Sequence, residues 1–418
     1  MVLALALATV KPACGADYAA ATVCGDTLRF GFAEASAMMA KQHLLLKAKD
    51  ADVAAAKATL QQDKLYDNPN VSVSHNINNP VTHRYFDVGR DGETDVQLSQ
   101  RIFIGGQRSE RIRRSKTDLQ KAEYDRSDAE RLARRELFAE MAALACAQQK
   151  VDVIERQVQS VDRILAAYAE QEQKGNVARV EVTRIRNMRL QLLQDRKELM
   201  DDMADMQQNL RVMTGVAPDV GIVPEVDYAQ CVAALKGVTL CALTDALASR
   251  ADAMADKCDV ESGVHEVKLQ KANALPEVSL TGEWDKNGNI GHNYFAVGVS
   301  LSIPIFNHNQ GGVRAAKASL DAKRLVQSWN MSRANAETVA GWERLQNALA
   351  VAREAEAGVQ TDGERMMTDV ETQYVRHNIS LLEFLDYYES YRAARCLLLD
   401  SRRDVVKAMA ELDIDMCR

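Results

Sequence analysis

The sequence predicts a mainly α protein with a small β part, in which long coiled-coil α-helical hairpins carry four β-strands per chain. Three observations predict it. Of the seven prolines in 418 residues, none falls within 81–217 and none follows 304. Those stretches are rich in Ala, Leu, Gln, Glu, Arg and Lys, the composition of long helices rather than globules. Along them apolar residues recur in alternating steps of three and four, as a coiled-coil seam requires. Finally, a strand, a Gly-Gly turn and a basic helix start occur twice, at 96–119 and again at 293–320.

Taken in order, residues 2–10 (VLALALATV) form an apolar run of signal-peptide length, so 1–26 reads as a signal peptide and N-terminal segment. The run lacks a basic n-region, and the start therefore reads as truncated or miscalled. Cys14 and Cys24 both sit in poor matches to a lipidation box. A first helix is expected over about 27–66, ended by Asn68-Pro69. A strand follows at 71–78, then a polar loop with Pro80, Gly89 and Gly92, and a second strand at about 94–104. The helix from Ser109 to about Glu172 should be roughly 95 Å long, and its return, 178–214, about 55 Å. With the first helix at about 60 Å, the lengths describe one long leg beside two stacked half-legs. The seam on the long leg runs through Leu137, Met141, Leu144, Val151, Ile154, Val158, Val161, Leu165 and Tyr168, with a polar gap at Gln148. On the return it uses Val182, Ile185, Leu192, Leu199, Met203, Met206, Leu210 and Met213, with gaps at Arg189 and Arg196.

Residues 218–240 read as a linker, after which 241–418 repeats the order of 27–217. A helix near 241–273 leads to Pro276, a strand at 278–285, an Asn287-Gly288-Asn289 turn, a strand at 293–305 and a helix from Val313. Pro69 matches Pro276, Leu98 matches Leu301 and Leu119 matches Leu320, with the drifting offset of a diverged duplication. In the last strand Phe295, Val297, Val299, Leu301 and Ile303 alternate with small or polar residues. Four strands cannot close a barrel, and open apolar edges aggregate. Such faces can pack on one another in a soluble sandwich, or be shared with other copies in a membrane barrel, since about ten alternating residues span a bilayer as a tilted strand. So little sheet on so much helix favours the barrel, with the apolar face toward lipid. Trp284, Tyr294, Phe295, Tyr85 and Phe86 near the strand ends suit interfacial positions.

A second repeated signature joins long leg to return. QEQKGNVARVEV at 171–182 aligns without a gap with QYVRHNISLLEF at 373–384. Each marks the tip of a helical hairpin. The tips are Lys174, Gly175, Asn176 and Val177, and Arg376, His377, Asn378 and Ile379. Their retained polar identity fits either a docking role or plain turn economy.

Several function classes are excluded. The formal net charge of −7 is scattered along helix faces, so there is no nucleic-acid footprint. The eight cysteines show no CxxC or CxxH spacing and predict no zinc site; Cys231 and Cys241 are either a pair or two free thiols. Neither Gly-Gly turn has a dinucleotide-binding or P-loop context, the histidines stand singly, and most methionines occupy seam positions as core filler. No enzyme, cofactor or metal is expected.

The tandem order of helix, strand, strand, helix, tip and helix resembles the TolC family of outer-membrane factors over essentially all of 27–418. The run Ile303-Pro304-Ile305-Phe306-Asn307-His308-Asn309-Gln310-Gly311-Gly312 is similar to the signature of the CzcC/CusC-like branch, which serves cobalt–zinc–cadmium and copper–silver pumps. That resemblance implies a homotrimer with a twelve-strand barrel in the outer membrane above a helical periplasmic tunnel. It implies the exit duct of a tripartite efflux pump of RND type, exporting heavy-metal cations, with an inner-membrane pump and a periplasmic adaptor as partners. The tips would meet the adaptor. Glu383 and Asp386 match two aspartates that ring the periplasmic entrance in family members, with one departing to Glu, and His377 replaces the family's second tip glycine. The alternatives are a type I secretion or multidrug outer-membrane channel, or a soluble periplasmic coiled-coil scaffold or adaptor. An adaptor would carry one hairpin between split domains rather than two equal copies.

Overall fold

The computed structural model describes residues 27–79, 83–89, 91–173, 177–288, 291–358, 363–376, 378–414 and 416. Its spine is α3 (Gln107–Gln173), 67 residues long, about 100 Å at 1.5 Å per residue. Helix α4 (Arg179–Thr214) runs back along the half nearer residue 173. There Arg189 pairs with Asp162 at 2.5 Å and Arg196 with Glu155 at 3.8 Å. Helix α2 (Leu44–Asp63) lies antiparallel along the other half, with Arg126 on Asp50 at 2.9 Å and Ser115 donating to Asp63. One long leg thus carries two half-legs, as the lengths indicated.

The second repeat uses the same plan. Helices α8 (Gln310–Gly358) and α9 (Gly363–Val375) form its long leg, and α7 (Ala251–Ala272) and α10 (Leu381–Glu411) its half-legs. Lys323 reaches Asp259 at 3.3 Å on α7, while Arg402 on α10 pairs with Glu356 at 2.8 Å. The two repeats are joined through α3, which pairs Lys121 with Asp259 at 3.0 Å and Lys150 with Asp400 at 2.7 Å.

Three expected elements differ. The helix expected over 27–66 is a strand, β1 (Thr27–Phe30), then α1 (Phe32–Gln42), then α2. The break falls at His43, whose extended backbone (ψ 116°) cannot continue a helix. The helix expected at 241–273 is α6 (Leu240–Ala246), a short 3-10 turn and α7. The 218–240 linker is itself folded: β4 (Gly221–Pro224) pairs in parallel with β1, and α5 (Tyr228–Ala234) follows. Asp227 starts α5 by accepting hydrogen bonds from the Ala229 and Gln230 amides at 2.9 and 3.1 Å.

Two cores follow from this layout. The larger gathers Phe30, Phe32, Met39, Leu137, Met141, Leu210, Ile222, Leu345, Val405 and Met409, so the paired β1 and β4 seal the middle of the bundle. The second joins Ile154, Val158, Val161 and Ile164 to Val182, Ile185, Tyr374 and Phe384 toward the tips. Strands β2 (Asn70–His75), β3 (Thr94–Ile102), β5 (Glu277–Gly288) and β6 (Gly291–Ser302) form one antiparallel sheet in the order β2-β3-β5-β6 at the opposite end of the long legs. Strands β2 and β6 are its open edges among the described residues.

Candidate functional site

Strand register decides which side chains share a face. Val71 stands opposite Leu98, and Leu98 opposite Gly282, which faces Val297. Val73 aligns with Val96, Trp284 and Phe295 in the same way, and Ile102 with Val278 and Leu301. All four strands therefore direct their apolar residues to one side. On the other side the register brings together Ser72, Gln97, Glu283 and Ala296, and Asp95, Asp285 and Tyr294. The apolar side is not a core. Phe295 is 74% exposed, Val297 82%, Val299 70%, Leu301 52% and Ile303 62%. So large an apolar patch marks a surface that meets something other than water.

The turns leading from sheet to helix have a structural purpose that sequence reasoning did not find. Asn309 adopts φ +56°, and its Nδ2 donates to the Gln270 carbonyl at 2.8 Å and to Gln270 Oε1 at 2.7 Å. A Cβ at Gly312 would lie 2.3 Å from Asn309 Oδ1, so a side chain there would displace the amide that makes these bonds. In the first repeat Gln107 accepts from the Gly105 amide at 3.0 Å and donates to the Ala272 carbonyl at 2.9 Å. Both turns clasp the C-terminal end of α7, whose last carbonyls lack helical partners. The repetition of the turn was visible in the sequence; its shared target was not, because the bonds span 39 and 165 positions.

At the other end lie the tips. Lys174, Gly175, Asn176 and His377 fall outside the described residues. Val177 is buried in the second core, and Ile379 packs against it. Arg376 and Asn378 are exposed, and Asn378 Nδ2 donates to Gln373 Oε1 at 2.6 Å. The described part of each tip thus turns its apolar residue inward, and the second turns its polar ones outward.

Glu383 and Asp386 both lie exposed in the first turns of α10. Glu383 is engaged in a capping box: its Oε2 accepts from the Ser380 amide and hydroxyl, both at 2.8 Å, and its amide donates to Ser380 Oγ at 3.3 Å. The Ser380 backbone N–H, and then its hydroxyl, hold the Glu383 carboxyl below the usual carboxylate range. Among the described residues Asp386 has no hydrogen bond or ion pair, and Arg376 forms no ion pair with either acid. Behind them runs an aromatic column. Tyr168 lies 5.6 Å from Tyr374, Tyr374 stacks on Phe384 at 4.6 Å, and Phe384 meets Tyr388 at 4.8 Å. Burial pushes the Tyr388 hydroxyl up to about 12. The i, i+4 spacing of Phe384 and Tyr388 was the available signal for this column.

Cys231 and Cys241 are both free, the first buried and the second exposed. No helix among the described residues is long and apolar enough to cross a membrane.

Comparison with known proteins agrees with this geometry. Residues 37–216 match the family model described as outer membrane efflux protein. No curated protein sequence matches the chain. Among solved structures, the outer membrane protein VceC of Vibrio cholerae superposes with a TM-score of 0.73 at 14% identity, covering 91% of this chain and 94% of that one. The CmeC outer membrane channel of Campylobacter jejuni gives 0.69 at 17% identity, covering 93% and 87%. CusC gives 0.68 at 16% identity, covering 91% of each. At these identities the likeness is one of fold.

Proposed function

We propose that this chain is the exit duct of an efflux system, a channel in the outer membrane with a helical tunnel in the periplasm. The observation that carries the proposal is the single exposed apolar face shared by four antiparallel strands, set at one end of coiled-coil legs. A lipid surround is the environment in which that face costs nothing, and the open β2 and β6 edges are satisfied when copies join their sheets into one barrel. With three copies the barrel has twelve strands, the polar face lines the lumen, and Phe295, Val297, Val299, Leu301 and Ile303 face lipid. The family match over 37–216 and the fold shared with outer-membrane channels support the same assignment. The ends of α3 and α9 then lie farthest from the membrane, and the exposed Arg376 and Asn378, together with the tip residues 174–176 and 377 expected from the sequence, are our candidate surface for an adaptor that links the duct to an inner-membrane pump.

Placing Arg at both Val299 and Leu301 tests this. Charge on the lipid face costs about 2–4 kcal/mol per site near the midplane, so the double variant should fail to insert and assemble in outer-membrane fractions. Normal assembly would overturn the barrel. The finer assignment, an RND-type pump exporting heavy-metal cations, rests on the resemblance of the 303–312 run, with its Asn309-Gln310-Gly311-Gly312 turn, to the CzcC/CusC-like signature; the fold, shared equally with VceC and CmeC, does not distinguish it. Complementing a strain that lacks its metal-efflux duct should restore growth on copper or zinc; rescue of drug resistance alone would assign a multidrug channel instead.

A further inference from the structure

A cavity of about 740 Å³ opens where the folded segment after β4 crosses the groove between α3, α8 and α10. That is the size of a small-molecule site. Its floor is apolar, formed by Ala142, Ala145 and Val406. The polar groups at its mouth fall into two sets. Arg402 is committed, with Nε and Nη2 on Glu356 at 3.1 and 2.8 Å and its guanidinium 5.1 Å from the centre of the Tyr228 ring. Arg403 is likewise held by Asp404 and Asp400, at 2.8 and 2.7 Å, and the Asp227 carboxylate is occupied capping α5. Arg353, by contrast, lines the cavity with no ion pair among the described residues. The Tyr228 hydroxyl and the Gln149 amide are also without hydrogen-bond partners there. Burial holds the Tyr228 hydroxyl above its ordinary value, so at neutral pH it is protonated and can donate.

The site therefore offers one uncompensated guanidinium, one phenol and one amide above an apolar floor. We propose that this cavity is a binding site for a small carboxylate with an apolar body, its carboxylate forked on Arg353 and steadied by Tyr228 and Gln149. Arginine suits this role because its planar donors match both oxygens of a carboxylate. A cation is disfavoured because the lining itself sets the guanidiniums of Arg353, Arg402 and Arg403 against only the carboxylates of Asp227 and Glu356, both already engaged. A neutral ligand of the same shape leaves Arg353 unpaired and forgoes the charge-assisted bonds.

Calorimetric titration of the full chain in detergent tests the site, using 2-naphthoate, with 2-naphthol as its uncharged counterpart and buffer with detergent alone as the blank. One naphthoate should bind per chain, at least about tenfold more tightly than naphthol, since a hydrogen bond to a charged group contributes about 1.5–3 kcal/mol. Arg353→Ala should weaken naphthoate binding at least about tenfold and leave naphthol unchanged. Arg353→Lys should restore part of the loss, because charge returns without the fork. Arg353 is exposed, so both variants should fold, and their thermal melts verify this. Absence of saturable binding, or equal affinities for naphthoate in wild type and Arg353→Ala, would overturn the proposal. Either result leaves the duct assignment standing, since the cavity lies far from the sheet and is measured by binding alone.

Discussion

Glu383 shows how a carboxylate can be committed locally before any assembly forms around it. Its charge closes the first turn of α10 through Ser380, so the tip helix begins at a fixed residue. Its folded pKa is lowered, which sets the sign of the pH effect. The stabilisation is present above the unfolded value and is lost as pH falls through the lowered folded value. Hydrogen exchange at the Ser380 amide, which donates to that carboxylate, should show, after correction for intrinsic rates, protection at pH 7 that disappears at strongly acidic pH. Ser380→Ala, which removes the acceptor of the Glu383 amide, should open that amide to exchange at pH 7, at a cost of about 1 kcal/mol. Gly215 is the other position where one residue fixes the chain. It ends α4 at φ +72°, and a Cβ there would lie 2.1 Å from the end of the Gln42 side-chain amide. In the amide orientation its surroundings require, Gln42 donates to the Thr214 and Gly215 carbonyls at 3.1 Å each, joining the two half-legs end to end. Gly215→Ala should cost about 1–2 kcal/mol from left-handed strain alone, read as a lowered thermal midpoint.

Among the elements, the polar gaps in the heptads prove as informative as the apolar positions. Arg189 and Arg196, which interrupt the α4 seam, are the residues that pair with Asp162 and Glu155 on α3. Gln148, the gap on α3, donates to the Ile222 carbonyl at 3.1 Å and so seats β4. Charged interruptions of this kind specify register at some expense of stability. The aromatic column carries energy instead. Phe384 is fully buried between Tyr374 and Tyr388, and Phe384→Ala should destabilise the tip end by about 3–5 kcal/mol, measured as loss of exchange protection in α9 and the start of α10. The long helices, the strands and the heptad seam were legible because each spans many periods of its own repeat. The β1–β4 pair was not: strands of four residues show no alternation, and their partners lie 194 positions apart (221 minus 27). The break at His43 was hidden because no Gly or Pro marks it. The exposed sheet face was readable strand by strand, but the agreement of all four registers needed the structure, since register depends on turns and bulges the alternation does not encode. The capping box is legible as Ser380-x-x-Glu383, and it gives the glutamate a local purpose that the family resemblance, which points to a gate, does not contain.

For the whole molecule, that last point changes what the entrance of a duct would use. If three copies assemble, Glu383 and Asp386 stand one turn apart and generate two rings of carboxylates. Like charges in a narrow throat attract cations and repel anions. The two rings are not equivalent, however. Glu383 already accepts two hydrogen bonds from Ser380, which fix its carboxylate against the start of its own helix. Asp386 has no such partner among the described residues and is free to face a symmetry axis. The selectivity of the proposed duct should therefore rest on Asp386. Recorded as single channels under a potassium chloride gradient, Asp386→Asn should move the reversal potential toward zero and relieve block by divalent cations. Glu383→Gln, whose amide oxygen can still accept from the Ser380 amide, should leave both near wild type. An equal loss of selectivity in the two variants would restore the two-ring gate. Unchanged selectivity in both would place these acids in solvent beside the coiled coil, while the barrel would still stand or fall on the Val299 and Leu301 substitutions.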